Sequence, residues 1–415
     1  MIRALVPLLL LPALALALAG CVRVNVHGDP PQPEPAMPDT TALRVATYNV
    51  SLYDEDAGGL VRRLELGNAQ ARRIAAVLQK LRPDIVLLNE FDYDAAGRAA
   101  DLFQRDYLEQ PQPGGGEALH YPHRYLAPVN TGIPSGFDLD NNGSVGGEGR
   151  DRGNDAWGYG LHPGQYGMLL LSKYPIDAAA ARTFQLLKWS AMPGARRPID
   201  PASGQPFHRD EVWAQLRLSS KSHWDVPVRT PLGTLHVLAS HPTPPTFDGP
   251  ENRNGLRNHD EIRLWREYIS PGPLPSGATP WLCDDAGACG GLADDARFVI
   301  LGDLNCDPAD GDGEHDAIVE LLEHPRVLRM ATPRSEGARL AAAADGGANA
   351  AHAGAHAHDT GRFGPKVGNL RLDYVLPSTG FAAKAAGVFW PPPGDPDAEL
   401  AAASDHHLVW VDLVP

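Results

Sequence analysis

Residues 298–305 read FVILGDLN, a short apolar run that ends in the polar residues Asp303 and Asn305. A carboxylate within a buried strand carries a large desolvation cost, so acids at strand ends are either solvated or gathered around a cation. Several such strand ends in one place would form a binding site for a hard metal ion. Five other runs have the same form: LRVATYNV with Asn49, DIVLLNE with Glu90, LHVLASH with His241, RLDYVL with Asp373, and SDHHLVWV with Asp405 and His406.

These apolar runs alternate with helical patterns, which indicates a layered α/β fold. Asn68 is placed to cap an amphipathic helix that Pro83 ends. Asn258, followed three residues later by Glu261, predicts the start of a second helix, and a third covers residues 316–324. The predicted strands cover residues 43–50, 85–89, 168–172, 234–240, 298–301, 372–376 and 408–413.

The first residues have the pattern of a secretion signal, in which Arg3 precedes an apolar block, and we assign this signal to residues 1–20. The ending Leu18-Ala19-Gly20-Cys21 resembles the lipobox of bacterial lipoproteins, which implies that Cys21 becomes the lipidated first residue. A non-lipidated signal or a short membrane anchor is the alternative. We expect a cell-envelope protein, facing the periplasm or the outside, that contacts the membrane through its lipid anchor alone.

Residues 21–42 are predicted to form a Pro-rich tether, since five prolines lie between Val22 and Thr41. Apolar runs recur from residue 43 to residue 415, and no second linker of comparable composition interrupts them. We therefore expect one large domain over residues 43–415, and a monomer.

Three cysteines follow the lipobox. Cys283 and Cys289 bracket the short acidic loop CDDAGAC, and we expect them to form a disulfide in an oxidising envelope. Cys306, within GDLNC, is predicted to be a small buried residue and not a nucleophile.

Two loop-like segments carry metal-binding residue types. Asp138, Asp140 and Asn142 occupy the first, third and fifth positions of a calcium-loop pattern, but Gly149 stands where a bidentate Glu is required. We favour a solvated Gly-rich loop, with a Ca²⁺-stabilised loop as the alternative. Residues 337–361 are rich in Ala and Gly and are predicted to be a flexible insertion.

The polar residues at the strand ends suit phosphodiester hydrolysis. This reaction needs the charge on the phosphate oxygens neutralised, a water placed in line, and the leaving alkoxide stabilised. Glu90, Asp303 and Asp405 offer the oxygen ligands that Mg²⁺ or Mn²⁺ prefers. His241 and His406 can donate to phosphate oxygens or transfer protons.

The net charge narrows the substrate class. The chain carries −15 at neutral pH, and removal of Arg3 with the signal would make it −16. Because nucleic-acid binding depends on basic groups that neutralise phosphates, and no basic stripe is present, a long duplex is disfavoured. A small phosphodiester is favoured, although a divalent metal and local arginines can reverse the sign within a cleft.

The motifs ATYNV, LLNEFD, GDLN, RLDYVL and SDHH occur in this order, and with them residues 43–415 resemble the endonuclease/exonuclease/phosphatase superfamily. The resemblance implies a four-layered sandwich of two packed mixed β-sheets flanked by helices. It also implies a metal-dependent phosphoesterase.

The resemblance further implies a role for each residue that matches the family's motifs. Asn49 and Glu90 would hold the metal, with Asn49 also near the phosphate, and Asp405 would contact the metal or a water. Asp303 would orient or deprotonate the attacking water, which Asn305 would place. His241 would donate to a phosphate oxygen or to the leaving group, and Asp373 would pair with His406, which would stabilise the pentacovalent phosphorus.

Some segments depart from the better-known branches. RLDYVL is nearer to nuclease-type sequences than to the corresponding segment of inositol phosphatases. The stretches SSKSHWDVPV and HPTPPTFDGPENRNG match none of those branches and are interpreted as loops that shape the pocket. Within the second stretch, Arg253 and Asn254 are candidates for phosphate contact.

Two functions are compatible with the sequence. The first is a secreted, metal-dependent phosphodiesterase or nuclease in which Asp303 and the metal activate a water for in-line attack. The second is a non-catalytic envelope lipoprotein that keeps the same fold to bind phosphate or calcium.

Overall fold

The computed structural model of the protein describes residues 42–270 and 280–415. The predicted signal, the lipidation site Cys21 and all but the last residue of the predicted tether lie outside the described residues. Within the described ranges, no helix has both the length and the apolar character needed to cross a bilayer.

Two mixed β-sheets form the centre of the fold. In the first, the parallel pair of β1 and β2 is flanked by antiparallel strands. From one edge to the other, this six-stranded sheet contains β12 (Ala382–Val388), β13 (Val409–Val414), β1 (Leu43–Leu52), β2 (Ile85–Phe91), β4 (Met168–Ser172) and β3 (His123–Tyr125).

The second sheet has five strands and again one parallel pair, β7 and β8. It contains β11 (Asp373–Pro377), β8 (Phe298–Asp303), β7 (Gly233–Ser240), β6 (His223–Thr230) and β5 (Arg182–Thr183), in this order. A separate two-stranded ribbon pairs β9 (Gly361–Arg362) with β10 (Asn369–Leu370).

The helices are mostly short. The α-helices are α1 (Gly59–Glu65), α2 (Ala69–Leu81), α3 (Arg98–Phe103), α4 (Gly149–Asn154), α5 (Asp210–Trp213), α6 (Arg253–Tyr268), α7 (His315–Leu322), α8 (Glu336–Asp345), α9 (Gly364–Val367) and α10 (Ala398–Ala401). A π-helical turn spans Gln104–Leu108, and 3₁₀ turns span Trp189–Ala191, Gly347–Ala351 and His356–His358.

Side-chain alternation along the strands creates three apolar layers. Residues such as Val45 on β1 and Leu301 on β8 belong to the core between the two sheets. The alternate residues of the first sheet, including Tyr48, pack against α1, α2 and α3. Those of the second sheet, including Ile300, pack against α6 and α7. The protein is therefore a helix–sheet–sheet–helix sandwich, which confirms the predicted fold class.

Of the two helix starts predicted from capping residues, the structure confirms one and contradicts the other. The side chain of Asn68 accepts a hydrogen bond from the backbone N–H of Ala71, which confirms its predicted capping role at the start of α2. The capping box predicted at Asn258 and Glu261 is wrong, because α6 begins earlier, at Arg253. Asn258 and Glu261 lie inside the helix and are buried, where tertiary hydrogen bonds use their side chains.

Two further interpretations of the sequence need correction. The stretch around Trp224 was interpreted as a loop, but it contains β6, whose Trp224 is fully buried between the sheets. Residues 337–361, predicted to be a flexible insertion, include most of α8, which packs alanines into the core. Ala-rich sequence has high helix propensity, and Ser335 provides an N-cap by accepting from the N–H of Gly337.

The cysteines are arranged as the spacing suggested. Cys283 and Cys289 are joined by a disulfide. Cys306 is buried and free, and burial raises the pKa of its thiol to about 12. The thiolate is therefore disfavoured, which argues against a nucleophilic role.

Candidate active site

Strand alternation carries polar residues to one end of the space between the sheets. Val45 on β1 and Leu87 on β2 face the opposite sheet. Asn49 and Asn89 lie further along the same faces of these two strands. On the second sheet, Asp303 ends β8 and pairs directly with Asp373 at the start of β11. Polar residues of β1, β2, β8 and β11 thus come together in one buried cluster.

Asp303 lies at the centre of this cluster. Its Oδ2 accepts a hydrogen bond of 3.0 Å from the side-chain amide of Asn49. The same oxygen lies 3.5 Å from Nε2 of His241 and 3.6 Å from Nε2 of His406. Burial raises the pKa of Asp303 to about 7, against the opposing effect of His406. A carboxyl group with this pKa can accept a proton near neutral pH.

The two imidazoles beside Asp303 have opposite character. Although burial disfavours the charged form of His406, Asp373 and Asp303 raise its pKa well above the usual value. Burial, Lys221 and His406 lower the pKa of His241 well below the usual value. His406 is therefore a cation and His241 is neutral. Within residues 42–270 and 280–415, the buried Nδ1 of His241 has no hydrogen-bond partner and can bond a ligand.

The orientation of His406 is fixed by two residues. Its Nδ1 donates to Oδ2 of Asp373 at 2.8 Å, which leaves Nε2 directed toward Asp303. The hydroxyl of Thr360 donates to the same Asp373 oxygen at 2.7 Å and accepts from the backbone N–H groups of Leu372 and Asp373. Thr360 belongs to the segment between α8 and β9, so this part of the chain supports the Asp373–His406 pair.

Glu90 faces the cluster from the end of β2. Its Oε1 lies 4.0 Å from Nε2 of His241, and its side chain keeps 21% exposure. Burial raises the pKa of Glu90, while Asn49, His406 and Lys221 oppose this shift. The backbone of Glu90 has a φ of 56°, which is strained for a residue with a side chain. Such strain is held by surrounding structure and often occurs at functional sites.

Asn305 and Gly302 fix the turn on either side of Asp303. The backbone N–H of Asn305 donates to Oδ1 of Asp303, and its side-chain amide donates to the carbonyl of Pro242. Asn305 also has a left-handed backbone, with a φ of 52°. A Cβ at Gly302 would collide with the carbonyl of Ser240, so only glycine allows β8 to approach β7 here.

Lys221 is a residue of the site that the sequence analysis missed. It is buried, and its Nζ lies 3.5 Å from the carbonyl of Pro242. Burial lowers its pKa, against the attraction of Glu261, Glu90 and Asp303. Its surroundings are rigid because the buried carboxylate of Glu261 accepts from the N–H groups of Ser220 and Thr243 at 2.6 Å each. The only local signal in the sequence was that the stretch SSKSHW contains a lysine.

The remaining sequence candidates lie outside this cluster or at its edge. Asp405 is exposed, and one of its oxygens accepts from the hydroxyl of Ser51 at 3.3 Å. Arg253 pairs with Glu251, and its guanidinium lies over the ring of Phe207. Asn254 donates to the carbonyl of Thr246. The polar groups of Arg253 and Asn254 thus hold the loop that follows His241.

The calcium-like loop forms an acidic cluster of its own. Asp138 and Asp140 each present a carboxylate oxygen within 4.8 Å of one on Asp155. The backbone N–H of Asn142 donates to Asp138 and Asp140, and its side-chain oxygen accepts from the backbone N–H and the hydroxyl of Ser144. The oxygens of Asp155 already accept from the N–H groups of Leu139 and Gly146.

The central cluster fits a divalent cation. Asp303 and Asp373 present carboxylate oxygens within 4.8 Å of each other, whereas the cationic His406 has no free nitrogen to bind a metal. Glu90 adds a carboxylate oxygen of the type that Mg²⁺ and Mn²⁺ prefer, while the amide of Asn49 directs its nitrogen at Asp303 and its oxygen accepts from the backbone N–H of Ser51 at 3.2 Å. The raised pKa values of Glu90 and Asp303 show that their negative charges lack full compensation, which a cation would supply.

A family model described as Endonuclease/Exonuclease/phosphatase family matches residues 46–406. The chain belongs to this family. The match covers most of the chain, which confirms the resemblance drawn from its motifs. Members of the endonuclease/exonuclease/phosphatase family are typically hydrolases that act on phosphodiester bonds.

Solved structures that are similar to this chain have low sequence identity to it. An endonuclease/exonuclease/phosphatase from Beutenbergia cavernae is 18% identical, with a TM-score of 0.48, over 90% of this chain and 72% of that one. Sphingomyelinase C from Streptomyces griseocarneus is 16% identical, with a TM-score of 0.44, over 90% of this chain and 99% of that one. No curated protein sequence gives a significant match.

Proposed function

We propose that the protein is a secreted, metal-dependent phosphodiesterase. The observation that carries this proposal is the position of Asp303, which touches Asn49 and lies within 3.6 Å of two imidazoles of opposite protonation state. This arrangement combines a proton acceptor, a cationic donor and a neutral donor around one space. Such a combination suits attack by water on a phosphodiester.

Each residue would have a distinct task in the reaction. Glu90 and Asn49 would hold a divalent cation, which supplies positive charge to the phosphate oxygens when it is bound. Asp303 would accept the proton of the attacking water. His406, kept cationic by Asp373, would donate to a nonbridging oxygen and so stabilise the charge that develops there.

His241 and Lys221 would complete the site. His241 is neutral, and its unpartnered Nδ1 can hydrogen-bond a phosphate oxygen or the leaving group. Lys221 would add positive charge near Glu90 and Asp303. Because both side chains are buried, their interactions with a bound phosphate would be screened less by water than those of surface groups.

The proposal is tested by hydrolysis of bis(p-nitrophenyl) phosphate with Mg²⁺ or Mn²⁺. We expect EDTA to abolish the activity and Asp303→Ala to reduce kcat at least about 100-fold, as is common for a lost general base. Asp210→Ala, which changes an exposed aspartate, is the matched control. Activity that survives both EDTA and Asp303→Ala would contradict the proposal.

Among phosphodiesters, we propose that the substrate is small and that a long duplex is a poor one. The net charge of −15 supports this, because it opposes the approach of a polyanion. Filter binding with duplex DNA at increasing salt is the test. Tight binding without Mg²⁺, together with a steep loss of affinity on addition of salt, would contradict the proposal.

We also propose that the mature protein is anchored to the bacterial envelope through a lipid on Cys21. The support is the sequence Leu18-Ala19-Gly20-Cys21 after an apolar block. Metabolic labelling with palmitate should mark the wild-type protein but not Cys21→Ser. Equal labelling of both proteins would contradict the proposal.

A further inference from the structure

A cavity of about 240 Å³, here called the side pocket, lies beside the candidate active site. One face of α8 contributes three of its small residues at helical spacing, and a proline-containing segment after β12 and the end of α10 provide most of the rest. The side pocket is lined by Gly337, Ala341, Ala344, Arg362, Trp390, Pro391, Pro393, Ala398, Ala401, Ala402, Ser404, Asp405 and His407.

The side pocket is next to the active site in the chain, because three of its lining residues, Ser404, Asp405 and His407, flank His406. Ser404 lines the pocket, and its hydroxyl donates to the backbone carbonyl of Asn49 at 2.8 Å. Asp405 also lines the pocket and contacts Ser51, two residues beyond Asn49. The side pocket is therefore adjacent to the backbone of Asn49, whose side chain reaches Asp303 in the active site.

Most residues that line the side pocket are apolar, and the polar ones are Arg362, Ser404, Asp405 and His407. The His407 ring stacks on Trp390, with 3.7 Å between the ring centroids and 22° between the planes. His407 is only 6% exposed, and its buried Nδ1 has no hydrogen-bond partner among the residues that the structure describes. A ring nitrogen without a partner can form one hydrogen bond with a ligand.

The charges around the side pocket exclude a second phosphate as its occupant. Among the described residues that line the side pocket, Arg362 has the cationic side chain. Its guanidinium donates hydrogen bonds of 2.7 and 2.6 Å to Asp345. Asp405 places a negative charge at the mouth. An uncharged group matches these surroundings better than an anion does.

We propose that the side pocket binds an uncharged, largely apolar organic group that is ester-linked to the phosphate in the active site. The inference rests on the proposed phosphodiesterase function and deepens it, because it assigns the substrate class. The substrate is a phosphodiester with at least one apolar substituent. His407 would form a hydrogen bond with a single polar atom of that substituent.

Calorimetric titration with phenylphosphonate and methylphosphonate in the presence of Mg²⁺ tests the proposal, since neither compound is hydrolysed. Burial of the phenyl ring should make the wild-type protein prefer phenylphosphonate by at least about tenfold in Kd. Ala344→Phe should fill the pocket from its exposed rim and abolish this preference. Ala343→Phe, at the neighbouring exposed position of α8 outside the lining, should retain it.

Equal affinity of the wild-type protein for the two phosphonates would overturn the proposal. Loss of the phenyl preference to the same extent in Ala343→Phe and Ala344→Phe would also overturn it. Hydrolysis of bis(p-nitrophenyl) phosphate is measured in the same preparations. Selective binding without Mg²⁺-dependent hydrolysis would support the side pocket and overturn the proposed function, whereas hydrolysis without selectivity would overturn the side pocket alone.

Discussion

The side-chain oxygen of Asn89 accepts a hydrogen bond of 3.2 Å from the backbone N–H of Asp303, which joins the two sheets directly beside the active site. The amide of Asn89 also crosses between the sheets, donating to the carbonyl of Ser240. Both contacts are buried. The position of Asp303 relative to Asn49 therefore depends on a side chain that need not touch substrate.

Asn89→Ala should lower the free energy of unfolding by about 2 to 4 kcal/mol, because it leaves a buried N–H and a buried carbonyl without partners. Urea denaturation measures this loss. Thr47→Val is the matched control, since Thr47 only adds a donor at 3.3 Å to the same Asn89 oxygen and should cost less than about 1 kcal/mol. Equal losses in the two variants would show that Asn89 does not link the sheets.

Thr360→Val should reduce kcat about tenfold, because it removes the hydroxyl that orients Asp373 and leaves two backbone N–H groups unpaired. Thr360→Ser keeps the hydroxyl and should restore most of the activity. The comparison is made with bis(p-nitrophenyl) phosphate at saturating substrate. If serine were no better than valine, the role of Thr360 would be packing rather than orientation.

Asp373→Asn should destabilise the metal-free protein most at low pH. The pKa of His406 is raised above its unfolded value, so its contribution is complete below the unfolded pKa and is lost as the pH rises through the folded pKa. We expect a loss of about 3 kcal/mol near pH 6 that shrinks as the pH rises through the raised pKa of His406. Urea unfolding in EDTA across this range measures it, and a constant difference would contradict the assignment.

Mg²⁺ should stabilise the protein more at high pH than at low pH. The raised pKa values of Glu90 and Asp303, about 7 for the latter, mean that the metal-free protein loses stability as the pH rises through this region and these groups ionise. A cation must displace their protons at low pH. We expect a Tm increase with Mg²⁺ at about pH 8 and little at about pH 5.5.

Differential scanning fluorimetry with and without Mg²⁺ at the two pH values provides this measurement. Asp303→Asn should reduce the pH dependence, whereas Asp210→Asn, at an exposed aspartate, should leave it intact. A Tm increase of the same size at both pH values would argue against binding at Glu90 and Asp303.

Lys221→Met should shift the acidic limb of the pH–activity profile to higher pH by about one unit, because the Lys221 charge helps to keep Glu90 ionised. The profile of kcat/KM for bis(p-nitrophenyl) phosphate shows this shift. Lys173→Met removes a lysine paired with Asp84 at the surface and should leave the profile unchanged. An unshifted profile for Lys221→Met would exclude its electrostatic role.

The sheet structure was predictable because each central strand carries its own local signal. β4 was predicted to the residue, and the predicted ends of β1, β2, β7 and β8 differ from the observed ends by two residues or fewer. Apolar runs bounded by Pro, Gly or Asn sufficed for these strands. The end-of-strand polar residues were also visible in sequence, since alternation determines which of them share a face.

The rest depended on contacts between distant residues. β6 contains Asp225 and Pro227, which normally argue against a buried strand. The structure accepts Asp225 because His236 and Tyr268 bond its two oxygens. Lys221 could not be identified for the same reason, because its neighbours Glu90 and Glu261 come from other parts of the chain.

One segment of the chain contains both Thr360, which supports His406 by bonding Asp373, and α8, which lines the side pocket. In the proposed function, turnover and substrate choice therefore depend on one short, contiguous piece of chain. A mutant library confined to residues 335–363 could retune selectivity, but many of its members would lose rate at the same time. Screens should score both traits in every clone, since improvement in one would often conceal a defect in the other.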